Sequence, residues 1–185
     1  MRLNGESYSF WLVPEASLER ELDKLVRALA PLFGMPAFSP HATVQGDLDL
    51  SAEDAEMLAR RLVEEESPLA WRAWGIQWTE HPFRAFFVAF DRADRFRALT
   101  ERSAKLTGTR EGLSPFPHLS LAYGSLPVRE KIARSRPLAG AIDGRTMTFV
   151  PVRSDTNWDD RSSSKAARRM AFTGVACSLP STSAR

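Results

Sequence analysis

Two stretches of this 185-residue chain read alike. One is Ser39-Pro40-His41-Ala42-Thr43-Val44-Gln45-Gly46; the other is Phe116-Pro117-His118-Leu119-Ser120-Leu121-Ala122-Tyr123-Gly124. Each runs Pro-His, apolar, hydroxyl, apolar, and then reaches a glycine. The alternation of apolar and polar positions predicts a short strand in both places. On a strand, residues i and i+2 face the same way. His41 and Thr43 therefore share one face and Ala42 and Val44 the other; His118 and Ser120 share one face and Leu119 and Leu121 the other. A chain with this pair must bury two apolar strand faces while an imidazole and a hydroxyl stand on the opposite face of each.

The rest of the chain alternates helical and extended signals. Tyr8 to Val13, closed by Pro14, reads as a strand. Ser17 to Phe33 reads as an amphipathic helix capped by Ser17 and ended by Gly34, with Leu18, Leu22, Leu25, Val26, Leu29 and Leu32 at three- and four-residue steps. Ser51 offers an N-cap to a second helix buried through Ala55, Leu58, Ala59 and Leu62. Leu69 to Thr79 reads as a strand bulged at Gly75, pairing as a hairpin with Phe83 to Phe90. A third helix spans Ala93 to Leu106. A short fourth runs Val128 to Arg134, followed by two strand pieces around Asp143-Gly144 within Ala141 to Val152. Ser154 to Ser164 reads as a polar loop, Arg169 to Cys177 as a last strand, and 178–185 as a disordered tail. The half before the hairpin repeats the element order of the half after it. The expected fold is α+β, a single domain over 1–185. Two similar lobes would each supply an antiparallel sheet to a central cleft, with helices outside.

Composition sets limits on function. A hydrophobic share of 43% suits a globular chain, and a net charge of +2 is too small for a dedicated nucleic-acid track. The single cysteine, Cys177, excludes an internal disulfide and a cysteine cage for metal, and points to the cytoplasm. No stretch is long and apolar enough to span a bilayer.

Two imidazoles facing each other suit phosphate-ester hydrolysis. One neutral ring takes a proton from the nucleophile and a protonated partner gives one to the leaving oxygen. Thr43 and Ser120 are placed to donate to the non-bridging oxygens. A lone strand histidine is ordinarily structural; a matched pair with matched hydroxyls favours catalysis. Tyr123 falls by parity on the Leu119 face, so only a twist or the strand's end brings it to the cleft. Trp11 and Phe83 suit either packing or stacking on a base, Arg84 either a phosphate or plain solvent. His81, before Pro82, reads as an exposed turn residue outside the motif.

The segments His41-Ala42-Thr43-Val44 and His118-Leu119-Ser120-Leu121 resemble the paired His-x-Thr/Ser-x motifs of the 2H phosphoesterase superfamily. Phe10-Trp11-Leu12-Val13-Pro14, Pro40-His41, Pro117-His118 and Tyr123-Gly124 bring the resemblance close to its cyclic phosphodiesterase branch. The resemblance implies a bilobal, pseudo-two-fold fold over roughly residues 7 to 176. It implies metal-independent hydrolysis, without cofactor, of a 2′,3′-cyclic nucleotide or ADP-ribose 1″,2″-cyclic phosphate. His41 and His118 would be acid and base, Thr43 and Ser120 the phosphate clamps, and Tyr123 would line the substrate pocket; Trp11 and Phe83 join it as substrate-binding candidates on their aromatic character alone. The partner would be a small cyclic phosphate met by a monomer away from any membrane. RNA ends, as in 2′-5′ RNA ligases, are the alternative substrate, and a non-catalytic nucleotide-binding module the alternative role. The chain departs from the pattern at Gln45, expected to reach the cleft beside Thr43, at Ala122, and in the basic 155–169 region.

Overall fold

The computed structural model describes residues 8–64, 66–91, 94–150 and 175–177. The chain forms β1 (Tyr8–Pro14), α1 (Ala16–Phe33), β2 (Ala42–Leu48), α2 (Ala52–Val63), β3 (Leu69–Gln77) and a 3₁₀ turn (Pro82–Arg84). It continues with β4 (Phe86–Phe90), α3 (Asp94–Thr107), β5 (His118–Ala122), α4 (Val128–Ile142), β6 (Thr146–Val150) and β7 (Val175–Cys177). The fold is α+β. Six strands pair antiparallel in the order β2-β1-β6-β3-β4-β5, with β7 alongside β1. The strands thus join in one hydrogen-bonded series rather than two separate sheets, through a short pairing of Val13 and Pro14 of β1 with Val150 and Phe149 of β6. The series nearly closes on itself. Before β5, Leu113 bridges to Gln45 of β2, the Gly46 N–H donates to the Gly112 carbonyl, and the Ser114 N–H to the Val44 carbonyl.

The helices follow their apolar stripes. In α1, Leu18, Leu22, Val26, Leu29 and Phe33 are buried, and Gly34 ends it in the left-handed conformation. Its N-cap is Glu15 rather than Ser17, whose hydroxyl instead donates to the Glu15 carboxylate. Ser51 caps α2 by accepting from the Asp54 N–H. The hairpin of β3 and β4 forms with its register shift between Ala73 and Gly75. The helices cover one side of the sheet: Leu22, Leu29, Leu62 and Phe96 share a core with Phe10, Leu12, Phe86, Leu119 and Leu121.

Two expected element bounds fail. The fourth helix runs on through Pro137 to Ile142, so the first of the two strand pieces is helix. A proline removes one helical hydrogen bond; here Leu138 and Ile142 beyond it pack on the core, and that burial sustains the turn. Phe83 and Arg84, expected to open the strand Phe83 to Phe90, lie in the 3₁₀ turn, and that strand starts at Phe86. The loop 154–164, the basic 155–169 region and the tail 178–185 lie outside the described residues.

Both motif strands carry the same irregularity. On β2, Thr43 pairs with Trp11, but the next pair is Gln45 with Phe10, leaving Val44 as an extra residue. On β5, Ser120 pairs with Phe87, but the next pair is Ala122 with Phe86, leaving Leu121 extra. A bulge reverses the side-chain alternation beyond it. Gln45 therefore turns into the core instead of the cleft, and is fully buried. By the same step Tyr123, next after Ala122, turns to the face that carries His118 and Ser120.

Candidate active site

Cross-strand partners lie on one face of a sheet. Trp11, His41 and Thr43 thus share the face away from the helices, and so do Phe87, His118 and Ser120. Each histidine is held in the same way. His41 Nδ1 lies 2.6 Å from the Ser39 carbonyl and His118 Nδ1 3.1 Å from the Phe116 carbonyl, in both cases two residues back. A carbonyl only accepts, so both Nδ1 atoms carry hydrogen, which leaves Nε2 as the acceptor of each neutral ring. The proline before each histidine favours the extended backbone that makes this return contact.

The neighbouring rings differ. The Trp11 indole stacks on His41 with centroids 3.7 Å apart and planes at 13°. Phe87 stands edge-on to His118, at 5.4 Å and 71°. One face of Trp11 is therefore taken by packing on His41, the first of the two roles the sequence offered it. Phe38 stacks on Tyr123 at 3.9 Å and meets His41 edge-on. Phe83 is more than half exposed on the 3₁₀ turn, with its ring at right angles to Tyr123.

Tyr123 joins the two motifs. Its hydroxyl lies 3.4 Å from His41 Nε2. Burial pushes its pKa up to about 12, and a hydrogen bond with the Ser120 hydroxyl opposes the rise. Tyr123 is therefore a neutral phenol at ordinary pH, a donor and not a base. Ser120 itself donates to the Phe83 carbonyl at 3.2 Å. Among the described residues no polar partner lies on the Thr43 hydroxyl. Burial, and after it the Arg84 charge, hold the His118 pKa below the ordinary histidine value, while the hydrogen bond to Phe116 acts the other way.

The structure thus brings His41, Thr43, His118, Ser120, Tyr123, Trp11 and Phe83 to one face and its rim. Gln45 is absent from it: its amide donates to the carbonyls of Thr109 and Glu111 and accepts from Ser103. His81 is exposed, and its Nδ1 caps the 3₁₀ turn by accepting from the Phe83 N–H. Phe38, Phe87 and Phe116 were missed by sequence reasoning; an aromatic two or three residues before each histidine was the available signal for two of them. Among the described residues no group of three or more His, Cys, Asp or Glu side chains could hold a metal ion. Among them, too, no helix is long and apolar enough to cross a membrane. Neither the protein-family models nor the curated proteins contain a match to this chain.

Proposed function

We propose that this chain is a metal-independent phosphodiesterase of the 2H type, opening a small nucleotide-derived cyclic phosphodiester to a phosphomonoester. The observation that carries the reading is that the hydroxyl of Tyr123, the residue that closes the second motif, lies 3.4 Å from His41 Nε2 of the first. A bilobal, pseudo-two-fold 2H arrangement is supported by the repeated bulge and the repeated Nδ1 contact. Each half supplies strand, helix, histidine strand and helix in that order. The single cysteine suits a cytoplasmic enzyme.

His118, held below the ordinary histidine pKa, is the base. Its neutral Nε2 takes a proton from water as the water oxygen bonds to phosphorus. The ring P–O bond breaks on the opposite side, and the leaving oxygen takes the proton of a protonated His41 Nε2. The products are a phosphomonoester and a free hydroxyl; one proton has entered on His118 and one has left from His41. Thr43 and Tyr123 donate to the non-bridging oxygens as charge grows there, and Ser120 joins them when its hydroxyl turns from the Phe83 carbonyl.

A panel of cyclic phosphates with phosphorus NMR of the products tests this. Ring opening that persists in EDTA is the expected result; no opening of any cyclic phosphate sinks the proposal.

A further inference from the structure

Arg84 brings its charge to His118, yet ring opening as described leaves its guanidinium without a ligand. Among the described residues no carboxylate pairs with it, although it is half-buried. The ring beneath it is Phe116, with the guanidinium carbon 6.0 Å from the centroid. Phe116 is also the residue whose carbonyl holds His118 Nδ1. The guanidinium thus lies over the ring of the same residue whose carbonyl holds His118 Nδ1. Phe83 and Phe116 are both exposed, at 54% and 37%.

The backbone that carries Arg84 is tied down. Its carbonyl accepts from both the N–H and the hydroxyl of Thr79, and its N–H donates to the His81 carbonyl. Gly124, just past the second motif, donates to the Pro82 carbonyl. The buried Lys131 of α4 donates to the Thr79 carbonyl at 2.8 Å, anchoring the turn from behind. A guanidinium on a fixed turn, with no carboxylate partner among the described residues and a ring beneath it, is prepared for an external anion. Its planar fork matches a phosphate bidentately.

We propose that Arg84 holds a second phosphate of the substrate, separate from the ring that opens, and so selects nucleotides carrying one. This rests on the ring-opening reading for its substrate. A second phosphate comes either from the 5′ end of a small nucleotide or from the next linkage of an RNA end.

The test compares kcat/KM on adenosine 2′,3′-cyclic phosphate, the same compound with a 5′-phosphate, and a dinucleotide ending in the cyclic phosphate. The wild type is expected to favour at least one of the latter two by tenfold or more, and the favoured one names the source. In Arg84→Gln that ratio should fall close to one, with Arg84→Lys between. A wild-type ratio near one for both, or an Arg84→Gln loss shared equally by all three substrates, overturns the proposal. Calorimetric binding of adenosine 3′,5′-bisphosphate against adenosine 3′-phosphate supplies a readout free of turnover. Equal affinity for the two in the wild type also overturns it. An Arg84-dependent preference in a protein that opens no ring leaves this inference standing and removes the enzyme reading.

Discussion

Gln45→Leu is the sharpest probe of how the two motifs are aligned. The Gln45 side chain is fully buried. Its Nε2 donates to the carbonyls of Thr109 at 3.0 Å and Glu111 at 2.8 Å; its Oε1 accepts from Ser103 at 2.6 Å and Thr107 at 3.3 Å. Thr107 keeps other acceptors in the Ser103 and Thr109 carbonyls. Leucine of similar volume thus leaves two carbonyls and one hydroxyl without this partner. At roughly 1 kcal/mol for each lost bond the cost is about 3 kcal/mol, with stranded polar groups adding to it and leucine's apolarity subtracting. With a urea m-value near 2 kcal/mol/M, the midpoint should fall by about 1.5 M. Melting should fall by roughly 6–12 °C for a chain of this size. Gln45→Glu keeps the shape and the acceptor for Ser103 but offers no N–H to the two carbonyls, and should also destabilise. A loss below about 1 kcal/mol in Gln45→Leu, or wild-type stability in Gln45→Glu, would refute the accounting. Turnover should fall further than the folded fraction does, because residues 109–114 run from this network past β2 and into the Pro117-His118 strand.

Replacing His41 or His118 with Ala should each lower kcat by about 10²–10⁴, the usual reach of one proton-transfer group, with circular dichroism unchanged; a residual rate near wild type in either variant removes the acid-base pairing. Because burial holds His118 below the ordinary histidine pKa, the acid limb of kcat/KM should lie below that value, and Arg84→Gln should move the limb upward by withdrawing a positive charge. The same group links stability to pH. Between its folded and unfolded pKa the unfolded chain binds a proton that the folded chain does not, so stability rises with pH and is lost as pH falls through that interval. Urea midpoints at pH 5 and 7.5 should differ less in His118→Asn than in the wild type. Gly112→Ala should cost several kcal/mol: the residue is left-handed at φ 69°, and an added Cβ would stand 1.8 Å from the Gly46 carbonyl oxygen. Unchanged melting in that variant would mean that residues 112–114 do not lie on β2.

What the sequence by itself determined is what neighbouring residues encode. Period-two alternation marked both histidine strands, and three- and four-residue apolar steps marked α1 and α2. The Pro-His pairs placed the imidazoles on extended backbone, and matched hydroxyls two residues on placed Thr43 and Ser120 beside them. What only the tertiary structure decided is set by the strand next door. Whether Val44 and Leu121 are extra residues depends on the register of β1 and β4, and no local pattern contains it. That register sent Gln45 inward and Tyr123 outward, against the parity of the chain. The continuation of α4 past Pro137 was likewise decided by burial of Leu138 and Ile142 rather than by helix propensity. The approach of Arg84 to His118 joins residues far apart in the chain, and it required the turn at Pro82 to be tied between β5 and α4.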